Sequence, residues 1–551
     1  LRKRNHDSNF RKFSEEDSSF VKKSYDNIWR ESRRTKSLLK FFSSEDMKKA
    51  VENKEEEYSG YPSYNRLQMT GLILGPLLFI LTLLFLDTEG LDQNGVFVVA
   101  SALWIATWWM TEAIPIPATS LLPLFLFPMG GVMDSGTVSS SYGADIIFLF
   151  LGGFLLAVAM EKWNLHTRVA LTIIRAIGTT SATIMLGFMI ATALLSMFVS
   201  NTAAVMIMIP IGLAIIKEAH ALTTEEHGGD VTKFEKQLVL GIGYAGTIGG
   251  LGTLIGTPPL IILAGQMNEL FGYDMSFAQY MLIGVPTVII LLAIAWVYMT
   301  YFAFKHDLKE LPGGKKIINQ EYEALGKTTK EEKWVLVIFL FAASMWILRG
   351  FVFENFAFLE LLTDGSIAMI AAVLLFLIPT RRQNGRILDW SVSKDLPWGV
   401  LLLFGGGLAL AAAIVETGVD AWLGELLANI EGMPIVIMIG IVALMILFLT
   451  EFTSNTATAT MILPVLAGLS MAVDVHPLAL MLPAAMAANC AFMLPVGTPP
   501  NAIVFGTGKI SIQEMAKTGF ALNIIALIII VGFIYLALPV VYGIDLNSFP
   551  F

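Results

Sequence analysis

Residues 197–210 read MFVSNTAAVMIMIP, and residues 451–464 read EFTSNTATATMILP. Each writes Ser-Asn-Thr and then a largely apolar run ending in proline, and neither contains lysine, arginine or histidine. The copies are in register, Ser200 with Ser454 and Pro210 with Pro464, both displaced by 254 residues (454 − 200 and 464 − 210). Upstream, FLGGF at 150–154 matches FGGGL at 404–408 at the same displacement. Downstream, GTLIGTPPL at 252–260 matches LPVGTPPN at 494–501, now displaced by 241 (497 − 256). The shorter offset follows from the connection between the motifs, which is long and charged at 221–236 and short at 473–477.

The surrounding composition is that of an integral membrane protein. Of 551 residues 55% are hydrophobic and 15% charged, where soluble chains carry about a quarter charged. Apolar segments near the length of a membrane helix recur, most clearly at 67–86, 94–110, 113–129, 181–199, 280–304, 334–348 and 518–542. Such runs exclude a transmembrane β-barrel, whose strands alternate in segments of about ten residues. The single cysteine, Cys490, excludes an intrachain disulfide. Residues 1–66 carry both signs of charge and are expected to form a polar tail, too polar at its start for a cleavable signal peptide.

Charge also predicts topology. Lysine and arginine gather in the tail, in 305–333 and in RRQNGR at 381–386, and are missing from 87–93, 129–144, 266–279 and 351–365. The positive-inside rule then puts the N-terminus in the cytoplasm. Treating both Ser-Asn-Thr segments as re-entrant hairpins gives about eleven crossings of the plasma membrane and an extracellular C-terminus. With 305–333 dividing the halves, each holds an odd number of crossings, so the copies are inverted. Inverted repeats with interrupted helices in matching places predict a secondary transporter with its site near mid-bilayer.

The motifs suit that role chemically. Asn201-Thr202 and Asn455-Thr456 read as helix caps. Thr257-Pro258 and Thr498-Pro499 read as a cap followed by proline at the first helical position. Four helix starts would then offer free N–H groups to an anion. Ser196 and Thr450 each stand four residues before the serine of their motif. Their hydroxyls, the asparagine carbonyl oxygens and freed backbone carbonyls near Gly256 and Gly497 could form neutral oxygen cages suited to an alkali ion. Stretches 181–216, 238–267 and 477–505 contain no ionisable Asp, Glu, Lys, Arg or His, and 433–473 contains only Glu451. A dianion desolvated there needs charge balance that the chain does not supply, so mobile cations must accompany it.

Other polar residues have plainer readings. Glu451 is either a neighbour of a cation cage or a salt link at a hairpin tip. Glu112 with Trp108 and Trp109, and His166 with Arg168, are expected at the membrane interface. No HExxH, GxSxG or P-loop pattern occurs, so an enzyme is not expected, nor does anything point to a nucleic-acid partner. The paired hairpins argue against an anion channel.

The two hairpins, GTLIGTPP and LPVGTPPNAIVFGTGKIS resemble the divalent anion/sodium symporter family from about residue 67 onward, and WNLHTRVALTII and GYAGTIGGLGTLIGTPPLIIL are most similar to its bacterial sodium-dependent dicarboxylate transporters. The resemblance implies an all-α polytopic homodimer that works as an elevator. Scaffold helices would lie in 67–180 and 334–430, and transport-domain elements in 181–304 and 431–551. It implies one Na⁺ at Ser196, Ser200, Asn201 and the Gly256 backbone, and a second at Thr450, Ser454, Asn455 and the Gly497 backbone. The carboxylates of succinate, fumarate or malate would meet Asn201, Thr202, Asn455, Thr456 and Pro499. Dicarboxylate exchange, or sulfate or citrate as cargo, are the alternatives. One departure stands out: Asn501 ends the second motif, where the first has Leu260.

Overall fold

The computed structural model describes residues 65–86, 90–178, 180–222, 228–308, 310–311, 313–353, 359, 361–380, 385–422 and 433–551. The tail expected at 1–66 therefore lies outside the described residues except for Asn65 and Arg66. Apart from Gly506–Gly508, the described residues belong to one compact unit. Its regular structure is helical, and nine helices among the described residues are long and apolar enough to cross a membrane.

The chain opens with α1 (Arg66–Phe85), started by a reciprocal cap between Asn65 and Gln68, and α2 (Gln93–Thr111), capped by Asp92. Only Gly71 and Gly75 of α1 are buried, so its apolar surface faces outward, as lipid contact requires. The expected span 113–129 is instead two short helices, α3 (Ile116–Thr119) and α4 (Pro123–Met129). Pro123, the first residue of α4, explains the break, because it lacks the N–H that would continue α3. Trp109 is not an interface anchor: it is 1% exposed and its indole N–H donates to Ser120 Oγ at 3.1 Å. Glu112 ends α2 in a left-handed conformation at φ 47°.

After α5 (Ser135–Ser141), α6 (Asp145–Lys162) leads into the short α7 (Leu165–Ile177). His166 and Arg168 are buried on α7 rather than surface-exposed. Arg168 Nε donates to Glu332 Oε2 at 2.6 Å, and its other nitrogens donate to the carbonyls of Gly326 and Leu325. That pair fastens α7 to the start of a helix 164 residues away.

The first repeat continues as α8 (Ser181–Ser196), α9 (Asn201–Leu222), α10 (Gly228–Gly249), two 3₁₀ turns over Gly250–Gly256, α11 (Pro258–Phe271) and α12 (Phe277–Tyr298). The 305–333 connection contains α13 (Gly314–Ala324). Then come α14 (Lys330–Phe351), α15 (Asp364–Leu377) and α16 (Trp398–Glu416). The second repeat runs through α17 (Ile435–Leu449), α18 (Asn455–Ala472), α19 (Pro477–Asn489), α20 (Pro499–Gly506) and α21 (Ile512–Tyr542). Thus α8–α9 and α17–α18 are matching hairpins, and α10–α11 and α19–α20 are matching interrupted helices.

The interrupted helices make the centre. All 13 residues of α19 are buried, and it packs against both arms of the second hairpin, against α11 and against α21. Likewise α10 packs against both arms of the first hairpin. The two halves meet where α11 lies against α16, α18 and α19, where α6 lies against α15, and where α12 lies against α21.

Candidate functional site

Each hairpin tip is set by its serine. Ser200 Oγ accepts from the Ala203 N–H at 3.2 Å, and Ser454 Oγ from Ala457 N–H at 3.5 Å. The caps are therefore the serines, not Asn201-Thr202 and Asn455-Thr456 as expected. With the serine capping, the asparagine becomes the first helical residue and its side chain is released sideways. In the interrupted helices, α11 and α20 begin at Pro258 and Pro499, each directly after a threonine, as the spacing predicts.

The released asparagines each enter a ring of oxygens. Asn201 Oδ1 lies 2.6 Å from Ser196 Oγ, and 3.2 Å from both the Gly246 and Gly256 carbonyl oxygens. Ser196 Oγ is also 2.6 Å from the Gly246 oxygen. In the second half the inward end of the Asn455 carboxamide lies 2.6 Å from Thr450 Oγ1, 3.2 Å from the Ala488 oxygen and 3.0 Å from the Gly497 oxygen, and as nitrogen it can donate to them. Thr450 Oγ1 is 2.8 Å from the Ala488 oxygen. With an asparagine oxygen turned inward a ring holds more acceptors than protons, because one hydroxyl hydrogen serves one neighbour and carbonyls only accept; with the nitrogen inward the same ring satisfies itself. In the oxygen-inward orientation buried acceptors face one another, which is unstable unless something positive lies between them.

Glycine lets the backbone come this close. A Cβ on Gly250 would lie 2.4 Å from Asn201 Oδ1, and one on Gly256 would lie 2.5 Å from the Gly250 oxygen. Ser196 and Thr450 are fully buried, while Asn201, Thr202, Asn455 and Thr456 are part-exposed and Pro499 is exposed. The hydroxyls thus lie behind the asparagines, and the first turns of α9, α18 and α20 face accessible space. No lysine, arginine or histidine is among these atoms.

The rings are neighbours. Ala488 gives its carbonyl to the second, while Asn489, the next residue, reaches the first: Asn201 Nδ2 donates to Asn489 Oδ1 at 3.2 Å. Consecutive Cα atoms are about 3.8 Å apart, so the two asparagine motifs converge on one end of α19. Asn489 also accepts from Thr257 Oγ1 at 2.7 Å and donates to the Thr247 oxygen at 2.7 Å. Sequence reasoning missed Asn489, Gly246 and Ala488. The last two act through backbone carbonyls, which any residue supplies, and AANCAF carries no repeated motif.

Glu451 makes no salt link among the described residues; of its two readings it is the neighbour of the second ring, where a Cβ on Gly497 would lie 3.2 Å from its Oε2. It is 1% exposed and accepts from three consecutive N–H groups, Phe492 at 2.9 Å, Met493 at 3.0 Å and Leu494 at 3.0 Å, and from Asn523 Nδ2 at 2.7 Å. It binds the second hairpin tip to the loop that carries Gly497. The corresponding residue of the first half, Met197, makes that tie with its backbone oxygen, which accepts from Thr253 Oγ1. Asn501 braces the same second loop by donating to the Ala491 and Leu494 oxygens, each at 3.1 Å. Leu260, its counterpart, is simply buried, and the Tyr280 hydroxyl instead holds the first loop by donating to the Leu251 oxygen at 2.7 Å.

Known proteins share both sequence and architecture. Residues 68–542 match the family model described as the sodium:sulfate symporter transmembrane region. The sodium-dependent dicarboxylate transporter SdcS of Staphylococcus saprophyticus is 62% identical over 492 residues, covering 88% of this chain and 94% of that protein. Its namesake in Staphylococcus aureus is 58% identical over 517 residues, covering 93% and 97%. In fold alone, the chain is similar to the YdaH transporter of Alcanivorax borkumensis (TM-score 0.54, 11% identity, 88% of this chain and 100% of that one). It is similar in the same way to MtrF of Neisseria gonorrhoeae (TM-score 0.54, 11% identity, 85% and 94%). Paired hairpins, paired interrupted helices and a family match over nearly all of the described chain lead to one assignment: this multi-pass membrane protein belongs to the sodium:sulfate symporter family.

Proposed function

We propose that the protein is a secondary transporter that carries C4-dicarboxylates such as succinate, fumarate and malate across the plasma membrane together with Na⁺. The observation that carries this reading is the pair of neutral rings, each with a carboxamide end 3.0–3.2 Å from two backbone carbonyl oxygens and a hydroxyl 2.6 Å away, and no lysine, arginine or histidine among their atoms. Neutral oxygens of this kind suit an alkali cation, because a divalent or transition metal usually asks for carboxylate, imidazole or thiolate. Relatives at 58–62% identity are named sodium-dependent dicarboxylate transporters, which favours carboxylates over sulfate or citrate as cargo.

In this reading one Na⁺ sits among Ser196, Asn201, Gly246 and Gly256, the other among Thr450, Asn455, Ala488 and Gly497, with Ser200 and Ser454 at the mouths. The two cations offset the charge of the dianion, whose carboxylates meet Asn201, Thr202, Asn455, Thr456, Pro499 and the N–H groups of the adjacent helix starts. Desolvating a dianion alone is prohibitive, so cargo and cations enter together and coupling follows from electrostatics. A third Na⁺ would make each cycle move one net charge, about 2.3 kcal/mol per 100 mV.

Every group in both rings comes from 181–304 or 431–551, which fits an elevator whose transport domain carries the whole site past a scaffold built from 67–180 and 334–430. The scaffold would also form the homodimer contact. Radiolabelled succinate uptake into proteoliposomes tests the function. Uptake should vanish when Na⁺ on both sides is replaced by choline, and malate and fumarate should compete where sulfate does not. Uptake that persists in choline points to an exchanger.

A further inference from the structure

The two rings differ through one side chain that the repeat does not share. Asn489 is fully buried, and its Nδ2 donates to the Thr247 carbonyl oxygen at 2.7 Å. A carbonyl only accepts, so the Asn489 amide can stand only one way round, with its oxygen toward Thr257 Oγ1 and Asn201. The Asn201 atom 3.2 Å from that oxygen must then be nitrogen, which turns the Asn201 oxygen onto Ser196, Gly246 and Gly256. Reversed, Asn201 would donate to those carbonyls at 3.2 Å and fill the ring with its own hydrogens.

The second half has no such constraint. Gly246 and Ala488 hold the same place in their rings (488 − 246 = 242), so the counterpart of Asn489 is Thr247 (489 − 242), whose hydroxyl donates to the Gly243 oxygen at 3.4 Å rather than meeting Asn455. Asn455 is free to turn its nitrogen inward and donate to the Ala488 oxygen at 3.2 Å and the Gly497 oxygen at 3.0 Å. The second ring can satisfy itself, and a cation must displace those hydrogen bonds to enter.

We infer that Asn489 is a positioning residue that holds Asn201 oxygen-inward, keeps the first ring ready for Na⁺, and so makes it load before the second. The inference rests on the Na⁺-coupled reading above and adds an order of binding and the residue that sets it.

The test uses the full chain in nanodiscs, with Na⁺-dependent thermal stabilisation measured without dicarboxylate and succinate uptake measured against Na⁺. Asn489→Leu removes the acceptor that pins Asn201. The Na⁺ concentration for half-maximal stabilisation should rise about tenfold, equivalent to about 1.4 kcal/mol and one buried hydrogen bond. The succinate KM at saturating Na⁺ should stay within about twofold of wild type. Asn489→Asp sets an oxygen against the Thr247 carbonyl and should melt lower, but it keeps an acceptor facing Asn201 and should retain half-saturation at or below the wild-type value. If Asn489→Leu does not fold, Asn489→Ser, whose hydroxyl is too short to reach Asn201, should give the same rise. Asn489→Leu or Asn489→Ser protein that melts lower by an equal amount with and without Na⁺, at unchanged half-saturation, would overturn the inference and leave the transport reading intact. A wild-type protein that Na⁺ fails to stabilise, and that takes up succinate in choline, would overturn both.

Discussion

Replacing Glu451 by Gln changes little in size and removes one of two strong acceptors. The carboxylate serves four donors: Oε1 accepts from Phe492, Met493 and Asn523, and Oε2 from Met493 and Leu494 at 3.2 and 3.0 Å. A glutamine can keep its oxygen toward the first set. Its NH₂ then faces the Met493 and Leu494 N–H groups, donor against donor. Hydrogen bonds to charged groups contribute about 1.5–3 kcal/mol each, and an unsatisfied buried donor costs about 1–3 kcal/mol more. The expected loss is therefore about 3–5 kcal/mol, concentrated in the loop that carries Gly497. Thermal unfolding of purified protein, followed by intrinsic fluorescence with and without NaCl, reads both consequences. The melting temperature should fall by several degrees, and Na⁺ should stabilise the variant less than wild type, because the second ring has lost its brace. Glu451→Asp, too short to reach all four donors, should fall between. A variant that melts with wild type would mean that the carboxylate does not secure this loop.

Asn201→Ala and Asn455→Ala should each abolish uptake while surface expression is retained, and undiminished transport in either would refute the site assignment. Arg168→Met strands Glu332 without its partner, and breaking a buried pair typically costs about 3–5 kcal/mol. Its melting temperature should drop while the Na⁺ half-saturation of stabilisation stays at the wild-type value. His476, in the turn between α18 and α19, is pushed down to about 4 by burial, below the ordinary value of about 6.5. The unfolded chain takes up this proton first as pH falls, so the contribution is whole above about pH 6.5 and is lost toward pH 4. His476→Asn keeps an acceptor for the Leu478 N–H, which His476 Nδ1 now receives at 3.2 Å. It should flatten that part of the acid loss in melting curves taken across the window.

What the repeats spell out was legible from residues alone. Twin Ser-Asn-Thr and Gly-Thr-Pro-Pro motifs located both hairpins and both helix interruptions, and they drew attention to Ser196, Asn201, Thr450 and Asn455, which the fold brings together in pairs. The details that went unread share a physical reason. Ser200 and Ser454 took the capping role from the asparagines because their shorter side chains reach back to their own helix start, and composition does not distinguish those choices. Glu451 is satisfied by backbone N–H groups from residues 41–43 positions away, donors that every residue but proline possesses. Asn489 could not be found by comparing halves, since its counterpart, Thr247, is a different side chain that turns to the Gly243 oxygen instead. Pro123 did announce the break within 113–129, but the apolar run around it hid the signal.

The claim beneath all of this is that Na⁺ ions occupying the two oxygen rings travel with the dianion. Proteoliposomes holding no initial Na⁺ gradient, given an inward succinate gradient and tracer ²²Na⁺ on both sides, measure it directly. Succinate entry should drive net ²²Na⁺ accumulation of at least about two ions per dicarboxylate. Succinate entry with no accompanying ²²Na⁺ would contradict it.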